Sequence, residues 1–168
     1  DPVYPFRFAD RAPILALHGG NSVLLWDWQA RHFLKPVPAK KHSQMIGFGI
    51  SPDASLVAMG YTDDTITLSD GRTGDPLSSI PTHLAGVEWV TFSADSRTLA
   101  TGSIRSVKLW NLATRRELFT LELESQVIQV EFTPDGTGLL TAEMAGITRF
   151  WPAPFLPEVA SEEKRTLP

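Results

Sequence analysis

The sequence contains no cysteine, which excludes disulfide staples, zinc–thiolate sites and a cysteine nucleophile. No apolar run approaches the roughly 18 residues of a membrane-spanning helix. Cations are outnumbered, 15 against 19 acidic residues, and the net charge is -4. Phosphate binding needs concentrated Lys and Arg, so neither nucleic acid nor membrane is an expected partner. No G-x-S-x-G pentapeptide is present to hold a nucleophilic serine. The histidines at 18, 32, 42 and 83 are scattered rather than clustered with carboxylates as a metal would need. Gly19-Gly20 is followed by neither helix nor lysine and reads as a turn, not a phosphate loop. The expectation is therefore no catalytic residue, no cofactor and no metal. What is present is an ordinary composition, 42% hydrophobic and 20% charged over 168 residues, enough for about one domain.

The organising pattern is a repeat. Residues 87–111 read as three short strands, 87–92, 98–101 and 107–110, separated by the turn residues Ser93-Ala94-Asp95-Ser96 and Gly102-Ser103. Three other segments follow the same plan. Turn aspartates recur at Asp53, Asp95 and Asp135, the first strand ends at Phe8, Ile50, Phe92 and Phe132, and the third closes at Trp26, Ser69, Trp110 and Trp151. Three independent markers thus keep a step of 40 to 43 residues, as one supersecondary unit used four times would.

Ser51-Pro52-Asp53, Thr133-Pro134-Asp135-Gly136, Leu25-Trp26-Asp27 and Lys108-Leu109-Trp110-Asn111 resemble the motifs of the WD-repeat (WD40) β-propeller family. The resemblance runs from residue 3 to about residue 151. It implies an all-β propeller with four blades of antiparallel strands: 1–38, 39–80, 81–121 and 122–160, followed by a charged tail at 161–168. The expected strands are 3–8, 14–17, 23–26 and 32–37; 45–50, 56–60, 65–69 and 76–80; the three above with 116–121; and 127–132, 138–142 and 147–151. No clear outer strand follows in the fourth blade, because Pro152, Pro154 and Pro157 cannot donate to a ladder.

The start at Asp1-Pro2, almost on a blade's first strand, reads as a piece of a longer polypeptide. The resemblance implies the C-terminal four blades of a ring of about seven, of a bacterial type sometimes fused behind a protein kinase domain. Leaving even about 400 Å² of apolar blade face bare would forfeit roughly 10 kcal/mol, comparable with the roughly 5 to 15 kcal/mol that stabilises a whole domain. The blades are therefore expected to need either the remaining blades of the same propeller or a second copy of the chain.

Members of the family tie each blade together with a His, a Ser or Thr, an Asp and the Trp. Remnants fall at His83, Thr101 and Trp110 in the third blade, where Ile104 takes the Asp position, and at Asp63 in the second. The first and fourth blades offer Trp26 and Trp151. With no complete set, hydrophobic packing has to carry the blades.

The resemblance places partner docking on the rim formed by the loops that enter each blade and those between its second and third strands. Mapped here, that rim includes His18, Asn21, Lys40, Lys41, His42, Tyr61 and Asp63. It continues with Asp64, His83, Arg105, Glu124, Gln126, Glu143 and Met144. Trp89 stands out because the equivalent positions hold Pro5, Gly47 and Gln129, so it reads either as an interface anchor or as core. Trp28 poses the same choice on the opposite rim. The expected function is a non-catalytic protein-protein interaction scaffold in the cytoplasm. The alternative is a propeller with an enzymatic or small-ligand site in its axial channel, for which the strand starts Tyr4, Ile46, Glu88 and Ile128 supply one charged group.

Overall fold

The computed structural model describes residues 6–82 and 86–152. Expectations that fall on residues 1–5, on His83 and on 153–168 lie outside the described residues. The described residues are all-β, and they form four antiparallel sheets arranged as four blades of a propeller.

The first sheet runs β1 (Phe6–Phe8), β2 (Ile14–His18) and β3 (Ser22–Asp27), with β4 (His32–Phe33) and β5 (Val37–Pro38) both pairing β3. The second is β6 (Met45–Ile50), β7 (Leu56–Tyr61), β8 (Thr65–Asp70) and β9 (Pro76–Pro81). The third is β10 (Trp89–Phe92), β11 (Thr98–Gly102), β12 (Ser106–Asn111) and β13 (Arg116–Glu122), and the fourth is β14 (Val127–Phe132), β15 (Gly138–Glu143) and β16 (Thr148–Pro152). The single outer strand expected over 32–37 is instead two short pieces, since Pro36 has no N–H to give the ladder. The strand expected from Val87 starts at Trp89.

The repeated motifs build two repeated turns. In the first, Asp53, Asp95 and Asp135 accept from the backbone N–H two residues on, at 3.1, 3.0 and 3.0 Å. The hydroxyls of Ser51, Ser93 and Thr133 accept from Leu56, Thr98 and Gly138 N–H at 2.9, 2.9 and 3.0 Å. The residue after each aspartate, Ala54, Ser96 or Gly136, takes φ between 59 and 73°, a left-handed conformation stabilised here by the Asx geometry. In the second turn Asp27, Asp70 and Asn111 accept from the N–H three residues on, at 2.7, 2.7 and 2.8 Å. Arg31, Gly74 and Arg115 then sit at φ 58, 75 and 58°.

Each sheet has two faces because side chains alternate along a strand. In β7, Val57, Met59 and Tyr61 join Ala16, Val23, Leu25 and Val37 of the first sheet in one buried cluster. Ala58, Ile66 and Leu68, on the opposite face, meet Val90, Phe92, Leu99 and Trp110 of the third sheet. Ala100, Val107 and Leu109 then meet Val127, Val130 and Leu139 of the fourth. The core is therefore three apolar seams between neighbouring sheets rather than one central mass. The seam between the second and third sheets is especially tight: a Cβ on Gly60 would lie 2.4 Å from Val87 O, and one on Gly47 2.4 Å from Glu88 O.

The two outermost faces carry apolar side chains with no sheet against them among the described residues. On the first sheet, Phe6, Phe8 and Phe33 are 56 to 58% exposed. They share a face with Leu15, Leu17, Leu24 and Trp26, as the strand register requires. On the fourth, Leu140 and Phe150 are paired neighbours and both exposed.

Candidate functional site

The register sets one rim without ambiguity. Met45 pairs Tyr61, Trp89 pairs Gly102 and Val127 pairs Glu143. The starts of the innermost strands and the turns between second and third strands therefore lie at the same end of every sheet.

Much of this rim is fixed by polar contacts. Asp64, at φ 62°, accepts from Gly86 N at 2.8 Å, and its carbonyl accepts from both the N–H and the hydroxyl of Thr82 at 2.8 Å. Asp63 is ion-paired with Lys40 and accepts from Thr65 Oγ1 at 2.7 Å. Partial burial pushes the Asp63 carboxyl up, but the hydrogen bonds from Lys40 and Thr65 outweigh it and hold it below the ordinary aspartate value. The Lys40 ammonium also stands 5.1 Å from the centre of the Tyr61 ring.

The candidate rim residues separate on exposure. Tyr61 is 0% exposed, its hydroxyl accepting from Lys40 N at 2.9 Å and donating to Met59 Sδ, so its ring belongs to the interior. His18 is half-buried, accepts from Gly20 N at 3.2 Å and lies against Phe48. Trp89 is half-buried in the seam to the fourth sheet, where its Nε1 donates to Val127 O at 3.3 Å. Asp63 and Arg105 face solvent, and Met144 is 65% exposed. On the opposite rim Trp28 is 50% exposed.

The third and fourth blades share a tryptophan–threonine hydrogen bond. Trp110 Nε1 donates to Thr101 Oγ1 at 2.8 Å, and Trp151 Nε1 donates to Thr141 Oγ1 at 3.0 Å, so the fourth blade keeps a threonine as well as its Trp. That blade also holds a buried ionic contact. Glu143, 1% exposed, accepts from Ser125 N at 2.7 Å and is ion-paired with Arg149, which reaches Glu124 at 2.6 Å. A buried carboxylate is tolerated when a cation and backbone donors both serve it. The signal for this was available: an acidic residue two after a buried strand threonine, with an arginine on the paired strand.

The axial side of the sheets also differs from expectation. A cleft of 520 Å³ is lined by Arg7, Ile46, Gly47, Phe48, Glu88, Trp89 and Gln129. Beside it, Glu131 accepts from Thr91 Oγ1 at 3.1 Å and Gln129 Nε2 at 2.9 Å, and pairs with Arg7. The charged group foreseen at Glu88 thus has Arg7 and Glu131 for company. No group of three or more potential metal ligands occurs among the described residues, and no helix long and apolar enough to cross a membrane is found there.

Comparison with known proteins agrees with this geometry. Residues 74–111 match the family described as WD domain, G-beta repeat. The chain is similar to eukaryotic translation initiation factor 3 subunit I of Pyricularia oryzae, 31% identical over 64% of this chain and 32% of the relative. It is also similar to periodic tryptophan protein 2 of Arabidopsis thaliana, 26% identical over 85% of this chain and 16% of the relative, and to WD repeat-containing protein 1 of Xenopus tropicalis, 32% identical over 52% and 15%. These relatives are eukaryotic, and the chain spans a third or less of each. In fold it resembles a chain of the mitotic checkpoint complex, with a TM-score of 0.77 at 16% identity over 88% of this chain and 45% of that one. A chain of Kuenenia stuttgartiensis hydrazine synthase gives 0.72 at 13% over the same shares.

Proposed function

We propose that this chain is a non-catalytic protein-interaction scaffold of the WD40 type, docking partner proteins on the rim that carries Asp63, Arg105 and Met144. One observation carries the reading: that rim is pre-set by Asp63–Lys40, Asp64–Gly86 and Glu143–Ser125 contacts. Loops held by a rigid scaffold bind without a large ordering cost. A photo-crosslinking residue placed at Arg105 or Met144 is expected to capture protein partners in cells, whereas one at Arg97, on the opposite rim, is expected to capture few. Equal capture from both rims, or none, would refute the assignment.

The four blades are, in the same reading, part of a larger ring of about seven blades or one half of a paired ring. The support is chemical: Phe6, Phe8 and Phe33 at one end and Leu140 and Phe150 at the other are left to water, and apolar patches of this kind mark interfaces. The cytoplasm is the proposed setting.

A second reading, a small-ligand site in the axial channel, is favoured by the cleft that gathers Arg7, Glu88 and Gln129. Thermal-shift screening with small carboxylates tests it, and stabilisation that persists unchanged in Arg7→Gln would discard it.

A further inference from the structure

Three residues converge on one dipeptide at the head of β14, Trp89 through its side chain and Ile104 and Met144 through their backbones. Val127 O accepts from Trp89 Nε1 at 3.3 Å, Ile104 O accepts from Val127 N at 2.8 Å, and Gln126 O accepts from Met144 N at 2.7 Å. Trp89, Ile104 and Met144 are therefore tethered around Gln126-Val127, on the rim of the third and fourth blades. Ile104 is 48% exposed and Met144 65%. They occupy the same place in successive blades, three residues beyond the buried Thr101 and Thr141. Turn tips of this kind ordinarily take Asp, Asn or Gly. Two bulky apolar residues at matching tips leave an apolar patch in water, and such patches mark contact sites.

The surroundings of the patch are acidic. Glu88, Glu122 and Glu124 are all exposed. Glu88 N donates to Gly102 O, and Glu122 pairs Ser106 at the same end of the sheet as the Ile104 turn. Arg149 is committed to Glu143 and Glu124, which leaves Arg105 as the exposed cation between Ile104 and Glu122. Such a surface attracts cations and repels acidic peptides and nucleic-acid phosphates.

We infer that this patch docks a basic, amphipathic segment of a partner protein, with apolar side chains seated on Ile104 and Met144 and flanking Lys or Arg facing Glu88 and Glu122. The inference rests on the rim-docking reading and adds the partner's chemistry to it.

The test is to pan a random dodecapeptide phage library on the protein, with circular dichroism verifying the β fold of every variant. Enriched peptides are expected to join apolar residues to Lys or Arg. They should bind the double variant Ile104→Asn, Met144→Asn at least tenfold more weakly, since asparagine suits a turn tip, adds no charge and leaves the fold intact. Glu88→Lys with Glu122→Lys should weaken binding about fivefold or more, with the difference shrinking in 1 M salt as exposed charges are screened. Absence of enriched peptides, enrichment of acidic ones, or binding unchanged in the Ile104/Met144 variant would overturn it. Should cross-linkers at Lys41 or Asn21 still capture partners in that event, the rim reading stands and only this patch falls. Should no rim position capture any, both fall.

Discussion

The guanidinium of Arg7 lies 3.7 Å from the carboxylate of Glu131, linking the innermost strand of the first sheet to that of the last. A second arginine of the first sheet, Arg11, donates to Ala94 O in the third at 2.6 Å. Side chains thus bridge sheets that are far apart in sequence. Since Arg7 and Glu131 are 25% and 38% exposed, the pair contributes below about 1 kcal/mol. Glu131→Gln keeps an acceptor for Thr91 and should lower the melting temperature slightly at low salt and not at all in 1 M salt. A loss above about 2 kcal/mol by chemical denaturation would contradict this.

Thr101→Val should be far more damaging. It removes the acceptor of the buried Trp110 Nε1–H and leaves a donor unsatisfied, a cost of about 1 to 3 kcal/mol. Trp110→Phe in the same background should add less than it does alone, because the hydrogen bond has already gone. Equilibrium urea unfolding of the double-mutant cycle measures the coupling, and strict additivity would argue against it.

Gly60→Ala tests the tight seam. The added methyl would meet Val87 O at 2.4 Å, and backbone cannot yield as a flexible side chain does, so destabilisation of about 1 to 3 kcal/mol is expected. The same change at Gly146 meets no neighbour but sits at φ 78°, so its cost there would come from conformation alone. Comparing the two by thermal melts separates packing from backbone strain.

Acidification should loosen the turns first. Backbone hydrogen bonds from Thr73 and Arg72 hold the Asp70 carboxyl below its ordinary value, and the hydroxyl of Thr133 with the N–H and hydroxyl of Thr137 do the same for Asp135. A folded pKa below the unfolded one contributes stability that is fully present above the unfolded value, near about 3.9. That contribution fades as pH falls toward the lowered folded value. Asp135→Asn should flatten this acid limb of the melting temperature while changing neutral-pH stability little. An unchanged limb would remove Asp135 from the account.

Ring completion has its own readout, the mass of the chain in solution. A stable dimer that Phe8→Asp or Leu140→Asp converts to an unfolding-prone monomer is the expected behaviour of a chain left with two bare apolar faces. A monomer that unfolds cooperatively with a full margin of stability, untouched by either substitution, would contradict it.

The strands and turns were legible because they depend on neighbours. Asp53, Asp95 and Asp135 act on N–H groups two residues away, so their spacing in the sequence is the spacing of the turns. Thr141 bonds Trp151 just as Thr101 bonds Trp110, so their matching places in the repeat carry that signal too. Tyr61 follows the expected strand 56–60 and so reads as a rim residue, yet it ends β7 and strand alternation carries it into the seam with the first sheet. Arg7 and Glu131 meet only once four sheets stand side by side round an axis, and no local pattern encodes that approach.

The matched stretch 74–111 holds β9 through β12, so it takes the outer strand of one sheet and the three inner strands of the next. Excising such a stretch would bring β8 beside β13, and the surviving sheet would again count four strands. An ancestral gene could therefore gain or shed a unit of this phase and alter the circumference of its product without ever leaving a half-built sheet behind.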